Sequence, residues 1–220
     1  MTDRDTKTRI LDASEALFSE HGYAGASMRE ITKLADVNLA AINYHFGSKE
    51  ALLQEVFQRS FGHLNEERLR RLDALERLAG GGVLDLEDLV RAFIAPGLEF
   101  ALDEERSGAD FLRFIGRVHS STGAHWKRLR QGSVFKDIRR RFGPAFARAL
   151  PQLEPTEINW RLHFVLGATI HAMLHPESIT PVEGGAEPEG VQPEALLEYL
   201  VPFLAAGLRA PTAVPAGETS

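Results

Sequence analysis

The sequence predicts an all-α protein, on three observations. Apolar residues recur at helical spacing along almost all of its 220 residues. No stretch alternates apolar and polar residues as a half-buried strand does, and capping residues, Gly and Pro fall at the ends of the periodic stretches. A first helix is expected over 6–21, where Ile10, Leu11, Leu17 and Phe18 form one stripe and Gly22 supplies the C-cap. Ser27 followed by Glu30 is a capping box, starting a short second helix from Met28 to about Ala35. Asn38 caps a third, ending near Tyr44 or His45. Ser48 caps a fourth that runs towards Leu78, where "AGGG" at 79–82 interrupts it. Further helices are expected at 85–103, with Pro96 as a kink, and at 108–120, 123–149, 156–174 and 193–208. The Pro/Gly-rich acidic stretch 175–193 reads as a loop, and the tail 210–220 as disordered.

Composition narrows the class. The length accommodates two domains with cores of their own. A net charge of -6 gives no global sign of nucleic-acid binding, and residues 1–60 hold seven Lys/Arg against nine Asp/Glu, so any anion-binding surface is local. The lack of cysteine excludes disulfides, thiolate metal sites and cysteine nucleophiles. The start lacks the apolar core of a signal peptide, and no apolar run approaches the roughly 18 residues of a membrane span. The expectation is a soluble cytoplasmic protein with no membrane partner.

Two short helices separated by "ADVN" and braced by a longer one in front form the helix-turn-helix pattern, whose second short helix lies in the DNA major groove. Ile31, Leu34, Val37, Ile42 and Phe46 fit the apolar seam between them. Ala40, Ala41, Asn43 and Tyr44 then face outward. Small side chains bring the helix backbone close to base edges and a thymine methyl, and Asn43 carries the donor and acceptor that pair with adenine. Ser27, Asn38, Tyr44, His45 and Lys49 lie at or near helix ends where donors and free amides meet phosphate, and Arg29 reaches phosphate or a base. One such unit reads few base pairs, so a twofold homodimer on palindromic double-stranded DNA is expected.

Residues 9–56, "RILDASEALFSEHGYAGASMREITKLADVNLAAINYHFGSKEALLQEV", resemble the DNA-binding domain of TetR-type transcriptional regulators. The resemblance implies a homodimeric repressor. Three amino-terminal helices bind DNA, the fourth connects them to a ligand-binding domain, and the last two pair with their mates in a four-helix bundle. On this reading the DNA-binding domain is 1–47 and the ligand-binding and dimerisation domain 48–209. The chain departs from the pattern at Asp36, where many members have Gly, and at Ala41 and Asn43, where many have Thr and Tyr. A narrower similarity, carried by "VNLAAINYHFGSK", "WRLHFVLGA" and "VPFLAAGLRA", is to the branch that senses long-chain fatty acids or their coenzyme A esters and releases DNA on binding them.

Thirteen Phe against three Tyr suit a cavity for an aliphatic chain. Phe93, Phe111, Phe114, Phe135 and Phe164 are the candidate lining, with core packing as the simpler account of each. Arg113 and Arg117, one turn apart, are candidates to hold an acidic head group. Leu166, Gly167, Ile170 and Leu174, with Leu197, Leu200, Val201, Leu204 and Leu208, are the expected dimer interface. His171 and His175 have metal-ligand spacing but no carboxylate beside them, so neither a metal nor a cofactor is expected. An enzyme is disfavoured because no phosphate loop, nucleophile motif or metal cluster occurs. A regulator without a small-molecule effector is the other alternative.

Overall fold

The computed structural model describes residues 3–102, 111–116, 132–175 and 192–212. In chain order the helices are α1 (Asp3–Gly25), α2 (Met28–Ala35), α3 (Leu39–Phe46), α4 (Lys49–Ala79), α5 (Leu86–Ala101), α6 (Lys136–Ala149), α7 (Pro155–Leu174) and α8 (Pro193–Arg209). A helical stretch covers 111–116 and a 3-10 turn covers Ser133–Phe135. No strand occurs among the described residues, in keeping with the all-α expectation. Gly22, at φ 70°, kinks α1 instead of ending it. Within the expected helix at 123–149, regular α-helix begins at Lys136, and 123–131 lie outside the described residues. So do most of the expected loop, 176–191, and of the tail, 213–220.

The described residues fall into two compact units, drawn from Met1–Asn65 with Asp103–Asp137 and from Glu66–Leu102 with Ile138–Ser220. Helix α4 is unbroken, giving its first part to one unit and the rest to the other.

In the first unit α1 packs on α2 and α3. Ile10, Leu17, Phe18, Ile31, Ile42, Phe46, Leu52, Val56 and Phe57 are buried and form its core. Burying such side chains contributes roughly 1.5–3 kcal/mol each. Polar contacts fix α1 against α4. The Arg59 guanidinium donates to Asp12 Oδ1 at 2.6 Å and also to Glu15, which accepts from the Ser60 hydroxyl at 2.9 Å, and Lys7 pairs with Glu55 at 2.8 Å.

In the second unit α5 lies against α7 and α8. Asp85 caps α5 by accepting from the Glu87 and Asp88 amides at 2.8 and 3.1 Å. The pairs Arg209–Glu87 (3.0 Å) and Arg91–Glu198 (2.9 Å) make α5 and α8 antiparallel. On α4, Glu67 is held by Arg70 and Arg71, and their hydrogen bonds push its carboxyl down to about 2. Arg161, 7% exposed, points from α7 at the end of α8. It donates to the carbonyls of Leu208 (2.7 Å), Ala210 (2.6 Å), Gly207 and Pro211 (both 3.3 Å) and pairs with Glu157 at 2.9 Å. The Gly207 and Leu208 carbonyls are acceptors that the last turn of α8 leaves unpaired, those of Ala210 and Pro211 follow directly after it, and a cation at a helix C-terminus also interacts favourably with the helix dipole. Residues 210 and 211, expected in the disordered tail, are thus held in place. Among the described residues no helix is long and apolar enough to cross a membrane.

Candidate nucleic-acid interface

Helix α2 begins at a complete capping box. Ser27 Oγ accepts from the Glu30 amide at 3.1 Å, and the Ser27 amide donates to Glu30 Oε2 at 2.8 Å. These bonds hold the exposed Glu30 carboxyl below its ordinary range. The helix ends at Asp36, in the left-handed conformation (φ 50°, ψ 55°). Asn38 then caps α3 through Oδ1, which accepts the Ala41 amide at 2.8 Å. Helix α3 stops at Gly47, φ 74°, whose amide donates to Asn43 O at 3.0 Å. Ser48 Oγ accepts the Ala51 amide at 3.1 Å and starts α4.

Between those caps α3 has two faces. Ile42 and Phe46 turn inward and are buried. Leu39, Ala40, Asn43 and Tyr44 are exposed, Tyr44 at 79%, and Ala41 and His45 are half-buried. The Tyr44 ring meets His45 edge-on at 5.1 Å. Ser27 and Arg29 stand exposed at the start of α2, and Asn38 at the start of α3. The structure thus presents a short helix with small, amide and phenolic groups on its outer face.

Two expectations change here, and one exposed residue was not anticipated. Leu34 is 57% exposed and is not part of the buried seam: it lies at the edge of the stripe that Ile31 and Ala35 bury on α2, where nothing covers it. Lys49 does not project freely: its ammonium donates to Tyr23 O and lies 4.4 Å over the Tyr23 ring, with burial pushing its pKa below the ordinary value. Leu39, 47% exposed at the first position of α3, was missed because an apolar residue there reads as core. Its register, one turn before Asn43, is the signal that would have found it.

The expected ligand-lining residues do not form one group. Phe111, Phe114 and Phe135 join Phe57 and Phe61 in the first unit, with ring centroids 4.9–5.4 Å apart. Phe57 and Phe61 had not been picked out as lining residues. Phe93 lies in the second unit against Phe142 and Phe146. Phe164 is 62% exposed beside Trp160, so it lines no interior. Arg113 is exposed, and Arg117 lies outside the described residues.

The expected interface also needs correction. Leu197, Leu200, Val201, Leu204 and Leu208 are buried within the protomer, on α8, which packs against α5 and α7. They are spent on the core and are not available to a second chain. Leu166, Gly167, Ile170 and Leu174 are half-buried. Among the described residues of these two helices, the large apolar groups left uncovered are Trp160 (58%) and Phe164 on α7, and Tyr199 (80%) and Phe203 (69%) on α8.

Residues 10–56 match the family model described as bacterial regulatory proteins, tetR family, and residues 91–207 the tetracyclin repressor-like C-terminal domain. The regulator UidR of Escherichia coli K12 is 45% identical over 51 residues, covering 23% of this chain and 26% of UidR. The biofilm operon icaADBC negative regulator IcaR of Staphylococcus aureus strain Newman is 29% identical over 89 residues, 37% of this chain and 48% of IcaR. The chain thus spans a quarter to a half of the length of these curated relatives. Among solved structures, AibR in complex with isovaleryl coenzyme A and operator DNA aligns with a TM-score of 0.57 at 16% identity, over 90% of this chain and 97% of that one. The fatty acid degradation regulator FadR of Bacillus halodurans aligns with a TM-score of 0.57 at 18% identity, over 93% and 96%. At such identities the structural likeness speaks for the fold.

Proposed function

Because the chain belongs to the TetR family of bacterial regulatory proteins, and so is a DNA-binding transcriptional regulator and not an enzyme, we propose that it acts in the cytoplasm as a homodimeric repressor of palindromic operator DNA, released by a small apolar or acyl effector. The observation that carries the reading is the two-faced α3. Ile42 and Phe46 anchor it, while Leu39, Ala40, Asn43 and Tyr44 face solvent. Asn43 reads a base edge, the small Ala40 and Ala41 permit close approach, and Ser27, Arg29, Asn38, Tyr44 and His45 position the unit on phosphate. Lys49 acts through Tyr23, bracing the start of α4.

We assign DNA contact to residues 1–47, and effector binding and dimerisation to 48–209. The apolar part of the effector enters among Phe57, Phe61, Phe111, Phe114 and Phe135, whose rings must part to admit it, with Arg113 towards its acidic end. Trp160, Phe164, Tyr199 and Phe203 meet their copies across the twofold axis. The effector binds best to a conformation in which the two α3 helices are wrongly spaced for successive major grooves, a coupling of about 1–3 kcal/mol. Support for an acyl effector comes from the aromatic cluster and from the fatty-acid and acyl-CoA regulators among the structural relatives.

Selection of binding sites from random duplexes tests the DNA reading: an enriched inverted repeat bound by two protomers is expected, and enrichment of no duplex overturns it. Thermal shift against acyl-CoAs and free fatty acids tests the effector, since a ligand that prefers the folded state raises its stability. A flat panel removes this effector class.

A further inference from the structure

We infer that Arg9 is a positioning residue for DNA recognition, holding from outside a turn whose own residue does not favour the conformation it adopts. The inference rests on the reading of α3 as the recognition helix. Among the described residues Asp36 is the one non-glycine with positive φ. Its amide donates to Lys33 O and Thr32 O, and the Val37 amide donates to Thr32 O at 3.0 Å. This is the helix-ending arrangement in which glycine is favoured, because an L side chain crowds the backbone in left-handed geometry.

The compensation comes from α1. Arg9 Nη2 donates to Ala35 O and to Asp36 O (2.7 Å), and reaches Asp36 Oδ2 at 3.1 Å. The Asp36 side chain is 98% exposed, so its ion pair with Arg9 contributes little. The two carbonyls matter more, since they are acceptors that the last turn of α2 leaves orphaned and a charged donor satisfies them. Arg9 adjoins Ile10 and Leu11, both buried in the core of the same unit. The guanidinium therefore ties the turn to the frame on which α2 is packed, and the direction in which α3 leaves that turn follows.

The test uses the full chain as R9A, D36G, the double variant and the conservative R9K, at a temperature where circular dichroism shows all of them folded. The first readout is amide exchange of Asp36 and Val37 relative to amides within α1. R9A is expected to speed it about tenfold, the scale of a lost helix cap. R9K is expected to fall between R9A and wild type, and D36G to reduce the effect of removing Arg9. Equal exchange in R9A and wild type overturns the inference whatever the protein does with DNA. The second readout is the ratio of affinity for a duplex enriched by the wild type to that for random duplex. R9A is expected to lower this ratio about tenfold and R9A/D36G to recover most of it. A merely destabilised protein would lose both affinities in proportion, so an unchanged ratio, or an equal loss in the D36G background, overturns the positioning role. If no duplex is enriched, the recognition-helix reading fails and with it the positioning role, while the exchange measurement still reports whether Arg9 holds the turn.

Discussion

Replacing Phe203 by Glu is expected to weaken self-association by more than two orders of magnitude, and the magnitude follows from how much of the ring the protomer leaves in water. Phe203 is 69% exposed, on the face of α8 opposite the buried Leu197, Leu200, Val201 and Leu204, with Tyr199 one turn before it at 80%. Taking about 200 Å² for an aromatic side chain, about 140 Å² stays uncovered per protomer and about 280 Å² in a twofold pair. At about 25 cal/mol per Å² this corresponds to about 7 kcal/mol if fully buried. Ordering of side chains at the interface offsets part of it. Half of that sum, about 3.5 kcal/mol, is roughly a 300-fold rise in Kd. The introduced carboxylate adds a desolvation cost in the same direction. Sedimentation velocity across a concentration series reads the change directly. Leu78→Glu, at a still more exposed leucine near the end of α4 (85%), serves as the control and should leave association untouched. A Phe203→Glu protein that remains dimeric with the wild-type Kd would refute the assignment of this face.

Asn43→Ala is expected to change which duplexes are enriched, by about 1–3 kcal/mol of discrimination at one base pair, whereas Tyr44→Phe should weaken all duplexes alike; competition binding separates the two. Glu67 has its pKa depressed in the folded state to about 2 from 4.5, so its contribution to stability is present above about pH 4.5 and is lost as pH falls towards about 2. Glu67→Gln should therefore lie below wild type in urea unfolding at neutral pH, with the gap closing across that window. Arg161→Ala leaves the Leu208 carbonyl and the Glu157 carboxylate without their buried donor, and is expected to cost about 2–4 kcal/mol in the same assay. A loss below about 1 kcal/mol would mean that water replaces the guanidinium.

Local signals were the legible ones. The Ser27–Glu30 box and the Asn38 and Ser48 caps depend on residues three positions apart, so spacing alone reveals them. Periodicity likewise identified the Leu197 to Leu208 stripe, but a stripe tells only that a face is covered and not by what. Here α5 and α7 of the same chain lie against α8, and the apolar surface that α8 leaves uncovered is marked by Tyr199 and Phe203, which lie outside the apolar stripe. The phenylalanines show the same limit, since helical spacing does not tell Phe93 from Phe111 although they belong to different units. Arg9 and Arg161 act on carbonyls 26 to 50 positions away, at distances for which no motif exists.

The grip of Arg161 on the end of α8 also sets how far the chain tolerates trimming. Shortening it to residue 206 would delete all four carbonyls that the guanidinium serves and strand a cation beside Leu208's vacated place. Ending it after Thr212 would leave each of them in position. Affinity handles and fluorescent fusions therefore belong beyond Pro211, where they extend the chain without loosening its last turn.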